Sequence, residues 1–400
     1  MRFPEFSGEW VTKSINDLAV VIGGGTPDTT VKSYWDGEIQ WFTPSEIGKN
    51  KYVDSSLRTI TEVGLNNSSA KLLPPNTILL SSRATIGECS LSLRECATNQ
   101  GFQCLVSKKC NVDFLYYLIQ TKKKDLIRKS CGSTFLEISA NEVRKIQVSV
   151  PSDVEQQKIA ELLSLIDERI ATQNKIIEDL KKLKSAICEK LFSSPKDKQP
   201  QIRLYGFFGD WHFVRLSDIC HRICRKNTGE QCKQVLTIAA QYGLVSQEEF
   251  FNKNVASENL SGYYLLQKGD FAYNKSYSGD YVWGTVKRLD NYEQGVLSPL
   301  YICFRPDPAR VDSDFLIYYF ESKKWHKTVA NIAGEGARNH GLLNISVVDY
   351  FNTIHCIPSM DEQKQIAQII GTLLSKIARE QRMLNCYAAQ RQYLLRQMFI

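Results

Sequence analysis

The chain has 400 residues, of which 43% are hydrophobic and 23% charged, and its formal net charge is +7. A chain of this length and composition can bury two hydrophobic cores, so we expect two domains. No apolar run approaches the roughly 18 residues of a membrane span, and the N-terminus lacks the apolar core of a signal peptide. We therefore expect no membrane segment and a cytoplasmic protein.

The twelve cysteines are scattered along the chain. Cys104, Cys303 and Cys356 lie in apolar, strand-like stretches, which favours buried reduced thiols over disulfides. Cys220 and Cys224 lie close to histidines, but no second cysteine pair has zinc-finger spacing. We expect no metal site.

The first 150 residues open with RFPEFSGEW at 2–10, followed by GGGTP at 23–27. The glycine run lacks the Lys-Ser/Thr of a P-loop and the spacing of a dinucleotide fingerprint, so it predicts a tight turn that opens a module.

Polar residues on short predicted loops of this module are candidates for reading DNA bases, because Arg can pair with guanine and Asn or Gln with adenine. Turn or cap hydrogen bonds are the structural alternative for each of them. The candidates are Ser82, Arg83, Thr85, Thr98, Asn99, Gln100, Ser133 and Thr134. The lysine run Lys122, Lys123 and Lys124 is a candidate for neutralising phosphates, although such a run is also typical of a solvated helix face.

The motif VPSDVEQ at 150–156 opens a long helical pattern. Ser152 and Glu155 fit the capping box, in which each side chain bonds a backbone amide of the first turn. Beyond this cap, alternating steps of four and three residues select a heptad seam. Its members are Ile159, Leu163, Ile166, Ile170, Gln173, Ile177, Leu180, Lys184, Ile187 and Leu191.

The second half of the chain repeats this plan. Residues 203–211 match 2–10 at an offset of 201, and IPSMDEQ at 357–363 matches 150–156 at an offset of 207, with Ser359 and Glu362 at the cap. The second seam comprises Ile366, Ile370, Leu373, Ile377, Glu380, Leu384, Tyr387, Arg391, Leu394 and Met398.

Each seam belongs to a helix of about forty residues, or about 60 Å, which is long for a helix that packs only on its own domain. We therefore predict that the two seams face each other in an antiparallel coiled coil, with the polar seam positions setting register. The alternative is that each helix packs on its own domain.

The second module has its own candidates for DNA contact at different positions: Asn274, Lys275, Ser276, Tyr277, Arg338, Asn339 and His340. Lys323 and Lys324 follow a Tyr-rich helical stretch, as the lysine run of the first module does. Between such anchors the two copies diverge strongly, as expected for two modules of one fold that read different targets.

The fold class predicted from these patterns is α+β, with two repeated α/β domains separated by two long antiparallel helices. The predicted boundaries are 1–151 for the first domain, 152–193 for the first helix, 194–202 for a linker, 203–358 for the second domain and 359–400 for the second helix.

Motifs of common catalytic sites are absent from the sequence: there is no G-x-S-x-G, no Walker A, no H-E-x-x-H and no Asn/Asp-Pro-Pro-aromatic tetrapeptide. Glu362-Gln363-Lys364 resembles the end of a nuclease motif, but it lies in the first turn of a capped helix, and the other copy has its lysine one place later. The sequence therefore favours a binding protein over an enzyme.

Several segments together resemble one family over nearly the whole chain. They are IGGGTP at 22–27, WFTPSEI at 41–47, LLSSRATIG at 79–87, ATNQGF at 97–102, KGDFAYNKS at 268–276, GVLSPLY at 295–301 and the two Pro-Ser-capped helices. The chain resembles the DNA-specificity subunit of type I restriction-modification systems. The resemblance implies that each domain is a target recognition domain reading one half of a split, asymmetric site in double-stranded DNA.

The resemblance also implies partners and cofactors. Two modification subunits would use S-adenosylmethionine to methylate adenine, and restriction subunits would use ATP and Mg. No cofactor is expected in this chain. The alternative is a stand-alone, repressor-like protein that binds a bipartite DNA site without enzymes, while a fused restriction-modification enzyme would need a catalytic motif that the sequence lacks.

Overall fold

The computed structural model describes residues 2–132, 136–239, 242–251, 259–276, 281–333 and 342–399. The chain forms two compact units: unit 1 comprises Met1–Lys175 and Arg382–Ile400, and unit 2 comprises Ile176–Gln381. Each unit therefore combines one predicted module with part of both long helices. The borders of these units differ from the predicted boundaries, which separate the modules from the helices.

Unit 1 is mixed α and β. Its module contains β1 (Val11–Ser14), α1 (Ile15–Leu18), β2 (Ala19–Gly23), β3 (Trp35–Phe42), β4 (Tyr52–Val53), β5 (Arg58–Ile60), α2 (Glu62–Asn66), β6 (Ile78–Leu80), β7 (Cys89–Ser92), β8 (Cys96–Thr98), β9 (Gln103–Ser107), α3 (Val112–Thr121), α4 (Lys123–Arg128), α5 (Ala140–Arg144) and β10 (Gln147–Val150). The long helix α6 (Asp153–Leu191) begins here and has 39 residues.

The module of unit 2 follows the same plan. It contains β11 (His212–Arg215), α7 (Leu216–Ile219), β12 (Cys220–Arg222), β13 (Leu236–Ala239), β14 (Gly243–Ser246), α8 (Gln247–Phe251), β15 (Tyr264–Gln267), β16 (Phe271–Asn274), β17 (Thr285–Arg288), β18 (Gln294–Leu297), β19 (Ile302–Pro306), α9 (Ser313–Glu321), α10 (His326–Ala330), α11 (Val347–Phe351) and β20 (Ile354–Ile357). The second long helix, α12 (Met360–Met398), also has 39 residues. Among the described residues, none of the helices is both long and apolar enough to cross a membrane.

The sheets of the two modules correspond. Unit 1 has a five-stranded sheet in the order β2-β9-β6-β7-β4 and a three-stranded sheet in the order β5-β3-β8, while unit 2 has a four-stranded sheet in the order β12-β19-β16-β17. In each module the first strand pairs antiparallel with the last, as Val11 with Val150 and His212 with Ile357. This pairing places the start of each module beside the start of its long helix. The observed architecture confirms the predicted class of two repeated modules and two long helices.

The start of each long helix is bound to its module by a buried glutamate. Both Glu155 carboxylate oxygens accept hydrogen bonds from Arg2, at 2.8 and 2.7 Å, and the Glu362 carboxylate is bound in the same way by Arg203, at 3.2 and 2.9 Å. Both glutamates are 1% exposed. Paired, charge-assisted hydrogen bonds of this kind are among the stronger side-chain contacts in proteins.

This contact alters the predicted capping box. Ser152 accepts a hydrogen bond from the Glu155 amide at 3.4 Å, as expected, but the Glu155 carboxylate bonds Arg2 and not the cap amide. The predicted hydrogen bond from the Ser152 amide to the Glu155 carboxylate is therefore wrong, because Arg2 at the start of the module binds the carboxylate.

The next residue of the repeated motif is a glutamine that joins two backbone segments. The Gln156 side chain accepts from the Asn111 amide at 3.0 Å and donates to the Pro151 carbonyl at 3.0 Å. Gln363 does the same with the Asp312 amide at 2.8 Å and the Pro358 carbonyl at 3.0 Å. Asn111 and Asp312 are the N-caps of α3 and α9. The motif Pro-Ser-x-x-Glu-Gln therefore fixes each long helix to one helix of its module.

The far end of each long helix packs on the other module. Phe192, just beyond the end of α6, lies 5.4 Å from Phe315 of α9, and Phe399, just beyond the end of α12, lies 5.3 Å from Phe114 of α3 (ring centroids). Each module is therefore held by the start of one long helix and by the end of the other.

All twenty predicted seam positions are buried or half-buried. In unit 1, Ile159, Leu163 and Ile166 of α6 share one core cluster with Leu394 and Met398 of α12, and Ile170 packs against it. Because Asp167 meets Arg391 further along, the two helices run antiparallel here. In unit 2, Ile366 and Ile370 share a cluster with Leu191, and Ile187 packs against it.

Two polar seam positions also bind the modules. Arg391 donates to Asp167 at 2.5 Å and to Gln120 at the end of α3 at 3.0 Å. The equivalent Lys184 donates to Glu321, at the end of α9, at 2.7 Å. Two of the four polar exceptions in the heptad pattern, Lys184 and Arg391, thus contact the module helices.

Cys104, Cys303 and Cys356 are buried free thiols, which confirms the prediction for these three cysteines. Burial raises the pKa of Cys104 and of Cys303 to about 12.

A buried histidine distinguishes unit 2 from unit 1. His355 of β20 is 2% exposed and lies between the Tyr319 hydroxyl at 3.1 Å and the Thr353 hydroxyl at 2.8 Å. Burial lowers the pKa of His355 to about 4. Val148 occupies the equivalent position in unit 1.

The Gln156→Leu substitution is expected to lower the free energy of unfolding by about 2 to 4 kcal/mol, since it leaves the Asn111 amide and the Pro151 carbonyl without partners. Urea denaturation of the full chain measures the loss. Gln157→Leu is the matched control, because Gln157 is exposed and its side chain bonds, among the described residues, only Glu161 of its own helix, so its effect is expected within about 0.5 kcal/mol. Equal losses for both variants would contradict the role assigned to Gln156.

The stability of unit 2 is expected to fall as the pH falls from about 6.5 to about 4. In this window the unfolded imidazole of His355 takes up a proton and the folded one does not, so the contribution is complete above pH 6.5 and shrinks by up to about 3 kcal/mol below it. Urea denaturation at stepped pH measures this slope. His355→Gln is expected to flatten it and His212→Gln, at an exposed histidine, to leave it intact. An unchanged slope in His355→Gln would show that other groups cause the effect.

Candidate nucleic-acid interface

Two of the predicted base-reading residues are buried. Ser82 and Thr98 are 0% and 1% exposed. The backbone of Ser82 bonds Gly101 on one side and Ile138 on the other, and the Thr98 hydroxyl lies 3.7 Å from the Cys104 sulfur. Neither hydroxyl is available at the surface, because the loop that carries Ser82 and the strand β8 that carries Thr98 both lie inside the module.

The Ser82 loop exposes its next residues. Arg83 forms an ion pair with Glu137 at 2.8 Å and is 43% exposed. Thr85 is exposed and its hydroxyl donates to Ser81 at 3.1 Å. Both side chains reach the surface, but Arg83 has an acidic partner that DNA would have to displace.

Asn99 and Gln100 follow the buried strand β8 at the surface. The Asn99 side-chain oxygen accepts from the Gly101 amide at 2.9 Å, which is the turn role given as its alternative. The Gln100 side-chain oxygen accepts from the Thr26 hydroxyl at 2.5 Å. The Gln100 amide nitrogen has no protein partner in the described part of the chain, so it points to solvent with two free donors.

The glycine run places Thr26 beside Gln100. A Cβ on Gly24 would lie 2.0 Å from the Asn99 carbonyl oxygen, and one on Gly25 would lie 2.2 Å from the Ser69 hydroxyl oxygen. The structure shows no turn at Gly24 or Gly25. The predicted tight turn is therefore wrong: the glycines are needed because two backbone segments approach closely, not because the chain reverses.

Arg58 extends this surface and was not singled out from the sequence. It lies opposite Trp41 in the pairing of β3 with β5, and its guanidinium carbon lies 3.5 Å from the centroid of the Trp35 ring and 5.8 Å from that of Trp41. The Trp41 indole donates to the Gly25 carbonyl at 2.9 Å, which ties the glycine segment to the same face. No carboxylate in the described ranges forms an ion pair with Arg58.

Stacking on Trp35 leaves the edge of the guanidinium free. A guanidinium held in this way can donate two parallel hydrogen bonds to an acceptor pair such as the O6 and N7 of guanine. The local sequence does not mark Arg58, because its aromatic partners are adjacent only once strand register is known.

The lysines predicted to contact phosphates have different environments. Lys123 is paired with Glu88 at 2.5 Å, whereas Lys124 is exposed and Lys122 is half-buried at the end of α3. In unit 2, Lys323 is exposed, but Lys324 is 10% exposed and bonds Glu189 of α6 at 2.6 Å. Lys324 therefore attaches the module to the long helix, which is a structural role that the lysine pattern did not indicate.

The second-module candidates are partly buried. The Asn274 side chain accepts from the Ser276 amide at 2.9 Å, and the Lys275 carbonyl accepts from the Leu343 amide at 2.9 Å. Asn274, Lys275 and Ser276 are half-buried. The remaining predicted contacts lie outside the described residues: Ser133, Thr134, Tyr277, Arg338, Asn339 and His340.

Across the described ranges, no group of three His, Cys, Asp or Glu side chains is placed to hold a metal ion. The surface built by Thr26, Arg58 and Gln100 carries hydrogen-bond donors and a cation. Its chemistry suits the recognition of polar, anionic ligands.

Comparison with known proteins shows similarity to one family. Residues 7–182 match the family described as the type I restriction modification DNA specificity domain. The chain is 38% identical over 222 residues to the type I restriction enzyme MjaIX specificity subunit of Methanocaldococcus jannaschii, covering 53% of this chain and 51% of the relative. It is 31% identical over 175 residues to the EcoR124I/EcoR124II specificity subunit of Escherichia coli, covering 42% and 43%. The matches thus span about half the length of these relatives.

The fold is shared over the whole chain. The crystal structure of a type I restriction-modification S subunit from M. genitalium superposes with a TM-score of 0.56 at 17% identity, covering 100% of this chain and 99% of that one. In its first half the chain is thus similar to the type I restriction modification DNA specificity domain, and along its full length it shares the fold of a type I restriction-modification S subunit.

Proposed function

We propose that this chain is the non-catalytic specificity subunit of a type I restriction-modification complex and that each module reads one half of a split site in double-stranded DNA. The observation that carries the proposal is the repeated attachment of a module to a long helix through Arg2 and Glu155 in one copy and Arg203 and Glu362 in the other. Two modules of one fold, each fixed to a stiff helix, suit a target made of two separated halves.

The helices supply the spacing in this proposal. A helix of 39 residues is about 58 Å long, equal to about 17 base pairs of duplex, which is an upper bound on the gap. The pairing of α6 and α12 along heptad seams makes them stiffer than single helices.

The proposed partners are those of the family. Two modification subunits would bind S-adenosylmethionine and methylate adenine, and restriction subunits would bind ATP and Mg, all in the cytoplasm. The two-fold repetition of the chain supports the count of two modification subunits, since it offers each one an equivalent surface. The naming of the relatives as specificity subunits favours this proposal over a stand-alone DNA-binding protein.

The test is reconstitution. The chain mixed with its modification subunit and S-adenosylmethionine is expected to methylate adenine in both halves of one split site, and the chain alone is expected to methylate nothing. Sequencing of methylated bases in a random duplex library measures both. Methyl transfer by the isolated chain, or a methylated site without a gap, would contradict the proposal.

Within the first module we propose that Arg58 reads a base. Arg58→Lys keeps the charge but loses the planar pair of donors, so it is expected to relax the preference at one base pair of one half-site by roughly 10-fold to 100-fold. The methylated-site sequence measures this change. Arg94→Lys is the control, because Arg94 is exposed on the same module and pairs with Asp54.

If Arg58 served only to stabilise the fold by stacking on Trp35, Arg58→Lys would lower the melting temperature and leave the methylated sequence unchanged. That result would remove Arg58 from the reading surface while leaving the function of the chain intact.

A further inference from the structure

Unit 2 carries a basic cluster outside the loops predicted to read bases. It consists of Arg222 at the end of β12, Arg225 and Lys226 in the segment that follows, and Arg305 on the adjacent strand β19. We name these four residues the β12 cluster. All four side chains contact the segment from Tyr264 to Asp270.

Asp270 fixes two arginines of the cluster. It is fully buried and accepts hydrogen bonds from Arg305 at 2.5 Å, from Arg225 at 3.2 Å and from the Gln267 amide at 2.7 Å. Arg225 also donates to the Leu265 carbonyl at 2.9 Å. The two arginine side chains remain 39% and 44% exposed. Their remaining N–H groups are therefore held in place at the surface.

Tyr264 holds the other two members. The Lys226 ammonium lies 3.9 Å from the centroid of the Tyr264 ring and donates to the Gly262 carbonyl at 2.8 Å. Arg222 hydrogen-bonds the Tyr264 side chain. Both cations are exposed, and neither forms an ion pair with a carboxylate of the described ranges.

The charges of the cluster do not balance. Among the described residues, Asp270 is the one carboxylate that pairs with the cluster, and it contacts Arg225 and Arg305 but not Arg222 or Lys226. Asp307, which follows β19, is the neighbouring acid, and its carboxylate lies 3.8 Å from Arg310 and 3.9 Å from His221. A purely structural role would need one arginine to neutralise buried Asp270. Positive charge therefore remains on the second arginine, on Arg222 and on Lys226, and contacts to the segment from Tyr264 to Asp270 hold all three side chains.

The first module has no equivalent charges. At the offset of 201, Val21, Gly24 and Gly25 stand where unit 2 has Arg222, Arg225 and Lys226. Val106 is the equivalent of Arg305, because Val106 pairs with Val20 and Arg305 pairs with His221, the residue equivalent to Val20. The cluster therefore belongs to the second module alone, at the place where the first module has the glycine segment beside Thr26 and Gln100.

We propose that the β12 cluster binds backbone phosphates of the DNA half-site that the second module contacts. This inference rests on the proposed function and deepens it. Prepositioned guanidinium and ammonium groups suit phosphodiester oxygens, and such contacts set affinity and orientation without reading sequence.

The test uses the full chain with its modification subunit and a labelled duplex that carries the split site. The double variant R222Q/K226Q leaves the Asp270 contacts intact, so folding is preserved. Its Kd at low salt is expected to rise by roughly 10-fold, and the slope of log K against log salt is expected to fall by about 2, at about 0.9 for each phosphate contact. The methylated sequence is expected to stay the same.

The charge-matched control is K190Q/K196Q, since both lysines are exposed in the same unit and far along the chain from the cluster. Phosphate-ethylation interference supplies an independent readout: R222Q/K226Q is expected to lose contacts in one half-site only.

Three outcomes would overturn the inference. If R222Q/K226Q matched K190Q/K196Q in affinity and salt slope while the wild-type chain still directed methylation to its split site, the cluster would not bind DNA and the proposed function would stand. A changed base preference with an unchanged salt slope would assign the cluster to base reading. Failure of the wild-type complex to bind any split site would remove the proposed function and this inference together.

Discussion

The contact between the first turn of each long helix and its module is the constraint on which the rest of the structure depends. A buried glutamate binds an arginine from the start of the module, and the adjacent glutamine bonds the N-cap amide of the module helix. Because buried charges and amides are costly when unpaired, these contacts define one orientation of helix on module. The same residues make the same contacts in both copies, so both modules are attached in the same way.

The heptad seams extend this arrangement. In a simple coiled coil, polar seam residues would bind the partner helix, but here Lys184 binds the end of α9, and Arg391 binds the end of α3 in addition to Asp167 of α6. Phe192, after the end of α6, packs on Phe315 of α9, and Phe399, after the end of α12, packs on Phe114 of α3. Each helix therefore connects to both modules through side chains that the repeat duplicates, and a change in one module need not disturb the attachment of the other.

The divergent interiors of the modules are where they differ in chemistry. At corresponding places the first module has glycines that admit a close backbone approach, and the second has cations held by Asp270 and Tyr264. In the first module, Arg58 stacks on Trp35, and Gln100 bonds Thr26 beside the glycine segment. A shared frame with different surface residues in each copy is the arrangement expected of two modules that bind different half-sites, as in the proposed function.

Periodicity, cap residues and internal repetition in the sequence were enough to establish the two modules, the two 39-residue helices and their seams, because helical burial repeats locally along the chain. The candidate surface was less predictable. Loop polarity could not show that Ser82 and Thr98 are buried, that Lys324 bonds Glu189, or that Arg58 stacks on Trp35. These outcomes depend on strand register and on contacts between residues distant in sequence, which only the tertiary structure decides.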